Sequence, residues 1–284
     1  MANYLIIGLG KIGLTVANTL AAAGKQVIAV NRSERTMIHP AITLVQTDAR
    51  FLAVRDLGVD CQTLTHACII VSPSEPSVQG YKDSYFAISQ NFIQLAQQLP
   101  HLQRVVFISS TSVYGQNQGE KIDSHTPVAP PSAATAQVLL DTERLLQQAF
   151  LQRCTIIRPS GIYGRERLRL VNMVTKLVNG EIAAPSNTWS NRIFDEDLVS
   201  VIVKVLTETS PLPLYLATDY EPAPMFGVLQ GIAQLQGVNL NLTDALPTTG
   251  KRVISNLPKN WLHYPNWQAG YHAILHTQTA QQGR

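Results

Sequence analysis

The sequence predicts an α/β fold: a doubly wound parallel sheet carrying a smaller, mixed α/β lobe in its C-terminal part. Three observations predict it. A G-x-G-x-x-G turn, Gly8-Leu9-Gly10-Lys11-Ile12-Gly13, joins an apolar run to a helical stretch rich in Ala and Leu. Strand-like apolar runs then alternate with helical periods through residues 1–160, the pattern of right-handed βαβ crossovers. Beyond that point the alternation becomes irregular.

Leu5 to Ile7 reads as a buried first strand, Leu14 to Ala23 as the first helix, and Gly24 as its C-cap. Between them the glycines suit a dinucleotide pyrophosphate. Gly8 permits the tight turn, Gly10 lets the backbone approach the phosphates, and Gly13 lets the helix lie close to the strand. The helix N-terminus adds free N–H groups and a positive dipole end. Gln26 to Val30 is the second strand. At its end, where an NAD site usually has Asp or Glu on the ribose 2′-OH, stand Asn31 and Arg32, with Arg35 close behind. No carboxylate repels a 2′-phosphate there and a guanidinium is placed to pair with one, so NADP is expected over NAD. Glu34, turned inward, would restore NAD.

Ile42 to Gln46 is a third strand, and Asp48 after it either faces the adenine or closes a turn. Ala67 to Val71 is a continuous apolar run, hence a strand buried on both faces, broken by Ser72-Pro73-Ser74-Glu75-Pro76. Val71 and Ser72 are assigned to the cofactor, since ligands bind at the carboxyl ends of such strands. Asp83 to Leu99 has a helical period, with Phe86, Phe92, Ile93 and Leu95 as core candidates. Arg104 to Ile108 is the next strand and leads into Ser109-Ser110-Thr111-Ser112-Val113-Tyr114-Gly115, a hydroxyl cluster where a substrate oxygen could lie. Gln116 to Pro131 is expected to be a long surface loop.

Helix is expected from Ser132 to Phe150, a strand from Cys154 to Ile157, and an amphipathic helix from Leu168 to Val178. Asp195 or Asp197 is placed to cap a helix from Val199 to Thr207. Leu214 to Ala217 and Arg252 to Ser255 read as strands, Met225 to Gln236 and Trp267 to His276 as helices, and the polar tail from Thr277 as frayed. The expected organisation is a dinucleotide-binding domain over residues 1–160, to which later segments such as 187–206 return. Residues 161–284 then form a substrate-side lobe over the carboxyl ends of the strands, making a cleft.

Composition narrows the function. A hydrophobic fraction of 45% with 14% charged residues is that of an ordinary soluble globular chain. A formal net charge of +3, with no basic run, argues against a nucleic-acid partner. No apolar run approaches the ~20 residues of a membrane span, and the glycines and Lys11 break any signal-peptide core. The three cysteines, Cys61, Cys68 and Cys154, lack C-x-x-C spacing and read as buried thiols of a cytoplasmic protein. The seven histidines show no ligand spacing, so no metal is expected.

Four stretches in chain order carry a resemblance: the glycine turn, Ser-Ser-x-x-Val-Tyr-Gly at Ser109 to Gly115, Arg-Pro-x-x-Ile-Tyr-Gly at Arg158 to Gly164, and Arg-Ile-Phe-Asp-Glu-Asp-Leu at Arg192 to Leu198. Over nearly its full length the chain resembles the extended and atypical short-chain dehydrogenase/reductases of the NAD(P)-dependent epimerase/dehydratase superfamily. The resemblance implies a Rossmann-type fold and hydride transfer between a nicotinamide and a substrate carbon. It places Pro159 at the cofactor, with Ser109, Tyr163 and Arg167 on the substrate side. Arg167 would meet an anionic substrate or form an ion pair with the facing lobe.

The family's chemistry rests on Ser or Thr, then Tyr, then Lys four residues later. Ser110, four residues before the Tyr of Val-Tyr-Gly, matches the Ser that orients the substrate oxygen. The Tyr and Lys are absent: no Tyr occurs between Tyr114 and Tyr163, and Ser132 to Phe150 contains no Lys. With Glu143 matching the family's Glu, Thr135 stands at the Tyr position and Leu139 at the Lys position. Tyr114, Tyr163, Tyr81 and Lys82 are the polar groups that could refill the site. Two expectations follow. One is an NADP-dependent oxidoreductase or epimerase (NAD as alternative) acting on a nucleotide sugar or small carbonyl compound. The other is a non-catalytic dinucleotide-binding redox sensor or partner-binding protein. Many relatives dimerise through two helices, which leaves a homodimer open.

Overall fold

The computed structural model describes residues 3–243 and 245–282. In chain order the first half comprises β1 (Asn3–Ile7), α1 (Lys11–Ala22), β2 (Gln26–Asn31), β3 (Ile42–Gln46), β4 (His66–Ile69), α2 (Val78–Tyr81), α3 (Ala87–Ala96), β5 (Arg104–Ile108), β6 (Gln118–Ile122) and α4 (Ala134–Phe150). There follow β7 (Cys154–Pro159), β8 (Gly161–Tyr163), α5 (Arg169–Val178), β9 (Trp189–Ser190), β10 (Arg192–Phe194) and α6 (Asp195–Thr207). The last elements are β11 (Leu214–Ala217), β12 (Ala223–Pro224), α7 (Met225–Leu235), β13 (Gly250–Val253) and α8 (Trp267–Gln282).

The chain forms two compact units. The first comprises Met1–Val113, Pro130–Arg158 and Val199–Tyr215, the second Tyr114–Ala129, Pro159–Leu198 and Leu216–Arg284. The first is organised by a seven-stranded sheet in the order β11-β7-β5-β4-β1-β2-β3, whose outermost strand β11 runs on into the second unit at Leu216. Chain order therefore runs outward in both directions from the β1/β4 pair, the topological switch point of a doubly wound sheet. The pairings β1–β2, β2–β3, β1–β4, β4–β5 and β5–β7 are all parallel. Leu5, Ile6, Ala67, Val106 and Ile156 are fully buried, as expected of strands covered on both faces.

The second unit has a four-stranded sheet, β12-β9-β13-β6, and a two-stranded one, β10-β8. Its apolar core joins α5, α7 and α8 through Val174, Val228, Ile232, Tyr271 and Ile274, with Tyr163 and Phe194 from the β8–β10 pair.

Four expectations need correction. The segment Gln116 to Pro131 contains a strand, β6, in parallel register with β13. Its sequence Gln-Gly-Glu-Lys-Ile has little apolar alternation, and its partner lies far away in the chain. The helical stretch expected from Asp83 begins at Val78: Ser77 caps it, its hydroxyl accepting the Gly80 N–H at 3.0 Å, and a π turn at Lys82–Phe86 carries it into α3. Helix α6 begins at Asp195. Asp197, inside its first turn, accepts the backbone N–H groups of His263 at 2.7 Å and Tyr264 at 2.9 Å, so it ties a distant loop down instead of capping. Helix α8 continues to Gln282, past the expected fray point, while residues 283–284 lie outside the described ones.

Candidate functional site

At the switch point the carboxyl ends of β1 and β4 open onto a cavity of about 290 Å³ within the first unit. Its floor is Ile7, Gly8, Leu9 and Gly10 with Ile70 and Val71. The glycines meet separate demands. Gly8 has φ +100°, and a Cβ there would lie 2.1 Å from the Ile70 carbonyl oxygen. A Cβ on Gly13 would lie 2.0 Å from the Gly8 carbonyl oxygen, so α1 touches the turn through bare backbone. A Cβ on Gly10 would meet no protein atom and would project into open space beside the cavity floor. Helix α1, which starts at Lys11 and carries Ile12 buried on its inner face, has no side-chain cap and no acidic residue in its first turn. No acidic side chain offsets its positive end, which suits an anion.

The far wall is cationic. Arg32 and Arg35 line the cavity at the end of β2, while Glu34 is exposed and outside the lining. Asn31 is committed to structure: its Oδ1 accepts the Leu9 N–H at 3.3 Å and its Nδ2 donates to the Ser33 carbonyl at 2.7 Å. It pins the glycine turn to the Arg loop and puts no charge where a ribose-binding acid would stand. Asp48 lies in the wall but is held by Arg50, whose Nη2 donates to Oδ2 at 2.7 Å and whose Nε donates to Oδ1 at 3.2 Å. Those bonds first, and the Arg32 charge further off, keep its carboxyl below the usual range. Val71 and Ser72 complete the wall with Ser74, Asp83 and Ser84.

Arg50, Asp83 and Ser84 escaped the sequence reading. Arg50 was legible only as the second residue after an Asp in a turn. Asp83 and Ser84 carry no signal, since the fold brings them to the switch point from a helix that follows β4.

At the other candidate region the hydroxyl block begins with Ser109, buried and hydrogen-bonded through its N–H to the Ile157 carbonyl at 2.8 Å. Ser110 is half-buried, and its Oγ accepts the Ser112 N–H at 3.1 Å. The turn at Thr111–Val113 packs against α4. On α4, Thr135 is half-buried in the first turn, and Leu139 is a core residue, 2% exposed. Glu143 is used structurally. Arg158 grips it with Nε at 3.0 Å from Oε1 and Nη2 at 2.6 Å from Oε2, both side chains almost fully buried. An apolar residue thus stands where the resemblance implies a Lys, and it cannot depress any neighbouring acid.

Tyr114, Tyr163, Arg167 and Pro159 belong to the second unit. Tyr114 is 1% exposed and Tyr163 5%. The Tyr163 ring stacks on Tyr271 with centroids 4.7 Å apart, so Tyr163, expected at the substrate, is a core residue. Arg167 pairs within its own unit, with Nε 3.8 Å from Asp195 Oδ2, and not with the facing lobe. Pro159 is the buried last residue of β7 and does not line the cavity. Tyr81 leans on Tyr85, and Lys82 is exposed. The three cysteines are buried free thiols, and burial pushes Cys154 up to about 12.

This geometry meets its counterpart among known proteins. The family model for the NAD dependent epimerase/dehydratase family matches residues 4–213. The chain belongs to this family. A solved structure from Methylobacillus flagellatus, named for the NAD-dependent epimerase/dehydratases, is similar to the whole chain, with 27% identity and a TM-score of 0.80, covering 98% of this chain and 99% of that one. Protein YeeZ of Escherichia coli K12 is 27% identical over 214 residues, 72% of this chain and 73% of its own length. The fold is shared further, with dTDP-glucose 4,6-dehydratase from Bacillus anthracis, crystallised with NAD, at a TM-score of 0.76 and 16% identity, covering 100% of this chain and 98% of that one. A nicotinamide dinucleotide fits the cavity of this family member on its own terms: a bare-backbone cradle at Gly10, a helix end without a side-chain cap, and guanidinium groups on the far wall.

No helix among the described residues is long and apolar enough to cross a membrane.

Proposed function

We propose that this epimerase/dehydratase family member binds NADP in preference to NAD. We further propose that it acts as an oxidoreductase or epimerase on a nucleotide sugar or a small carbonyl compound, without the usual Tyr and Lys. The observation that carries the cofactor preference is the end of β2: Arg32 and Arg35 line the cavity there, and Asn31 is spent on holding the Leu9 N–H. Asp48, an acid of the cavity wall, is tied to Arg50. A 2′-phosphate in the cavity would meet the Arg32 and Arg35 guanidinium groups at the β2 end, where Glu34 does not belong to the lining. When bound, the dinucleotide supplies hydride transfer at its nicotinamide. The chain supplies the cradle, the cationic wall and the Ser110 hydroxyl, which would orient a substrate oxygen.

Thermal unfolding in the presence of NADPH or NADH tests the preference. A ligand at ~100 times its dissociation constant stabilises the fold by about 2.7 kcal/mol. NADPH is expected to raise Tm more than NADH at equal concentration, and the combined Arg32→Ala, Arg35→Ala variant should erase the difference. A larger shift with NADH would overturn the preference.

The second reading is a non-catalytic dinucleotide-binding protein, and Leu139 favours it: the position that would hold a cation is filled by a core leucine. NADPH oxidation that depends on a carbonyl substrate and falls in the Ser110→Ala variant would sink that reading.

A further inference from the structure

The core of the second unit encloses polar atoms that the dinucleotide cavity does not use. Among the described residues, Tyr163 Oη, Arg192 Nη1 and Asp219 Oδ2 are buried and hydrogen-bond to nothing. Their residues are 5%, 3% and 1% exposed. Buried polar atoms are normally paired, so three together call for an explanation.

Three segments bring them into one place. Tyr163 ends β8 and Arg192 begins β10, with Phe194 opposite Tyr163 and Arg192 opposite Gly161 in parallel register. Asp219 follows β11, and its N–H donates to the Arg192 carbonyl at 2.7 Å. Helix α8 lies on the cluster: Tyr271 stacks on Tyr163, and a Cβ on Gly270 would sit 1.9 Å from Tyr163 Oη. The charged and titratable groups around Asp219 are few. Arg192 faces it from β10, Tyr163 from β8, Tyr271 from α8, and Glu221 from its own segment, whose N–H approaches Asp219 Oδ1 at 3.4 Å. Beyond these, Asp197 of α6 acts on Tyr163, and Arg169 of α5 acts on Tyr271. His263 lies next to Asp197 through its backbone N–H.

We propose that Tyr163, Arg192 and Asp219 form a buried proton-uptake site that couples protonation to the seating of α8. Burial outweighs the attraction of Arg192 and pushes the Asp219 carboxyl up to about 7. The protonated acid can both donate and accept, which suits an enclosed pocket beside a tyrosine hydroxyl. The ionised form needs hydration that the closed core denies it, and gains it when α8 lifts. The proton stays on Asp219 in the closed state and leaves in the open one. The equilibrium constant for opening α8 therefore rises with pH, about tenfold per unit for one linked proton, between the ordinary 3.8 and about 7, and levels off above.

Amide hydrogen exchange of residues 267–276 in the full chain tests this between about pH 5 and pH 8, after correction for intrinsic exchange. Protection of α8 is expected to fall about tenfold per pH unit up to neutrality, to become independent of pH in Asp219→Asn, and to keep its slope in His263→Gln. An unchanged slope in Asp219→Asn overturns the proposal. Should that variant fail to fold, carbon NMR titration of the Asp219 carboxyl in the native chain decides. A midpoint near neutrality supports the site, and one near the ordinary value of about 4 overturns it.

Discussion

The first unit presents two regions that have been treated differently, the β1/β4 switch point of the sheet and helix α4. The β1/β4 switch point has features that suit a dinucleotide: bare backbone at Gly8, Gly10 and Gly13, an α1 without a side-chain cap, and guanidinium groups on the cavity wall. On α4, where the family resemblance implies a phenol and an ammonium, stand Thr135 and the core residue Leu139. Helix α4 has nonetheless been held firmly, by the Glu143–Arg158 pair. The contrast teaches that the cradle and the proton-transfer pair are physically separable. A dinucleotide is held mainly by backbone and charge in one region, whereas proton transfer depends on two side chains that can be exchanged for packing residues without loss of the helix.

Substitutions in both regions sharpen that contrast. The largest effect is expected from Glu143→Ala, which leaves the buried Arg158 guanidinium without its carboxylate. Breaking such a pair costs about 3–5 kcal/mol, seen as a lower urea midpoint. An unchanged midpoint would mean that α4 is not anchored there. Gly13→Ala comes next. Its methyl would have to displace the Gly8 carbonyl, so a loss of about 1–3 kcal/mol is expected together with weaker NADPH binding. Gly10→Ala should separate the two properties, because its methyl meets no protein atom. Tm without ligand should stay the same, while calorimetric titration shows NADPH binding weakened by about tenfold, or 1.4 kcal/mol. Equal affinity would place the phosphates elsewhere. The smallest effect is expected for Ser110→Ala. Its Oγ accepts one N–H from Ser112, so stability should change by no more than about 0.5 kcal/mol, and any larger consequence must appear in turnover.

Local chemistry makes much of this legible in the sequence. The strands from β1 to β5 and β7 are short apolar runs bounded by glycine, proline or polar turns, and α1 follows its glycine turn directly. Strand β6 and the start of α2 were not legible for different reasons. Strand β6 is defined by hydrogen bonds to β13, far along the chain, and not by its own pattern. The start of α2 depends on one cap, Ser77, within a Pro- and Ser-rich stretch that reads as loop.

By itself the sequence determined the doubly wound sheet, the position of the glycine turn, and the absence of Tyr and Lys from Ser132 to Phe150, because each is written in contiguous residues. Only the tertiary structure decided which charges face one another. Glu143 became a partner for Arg158, Tyr163 a core residue under α8, and Asp219 a buried acid beside Arg192. Charge, burial and pairing are set by neighbours distant in the chain, and a linear pattern carries no record of them.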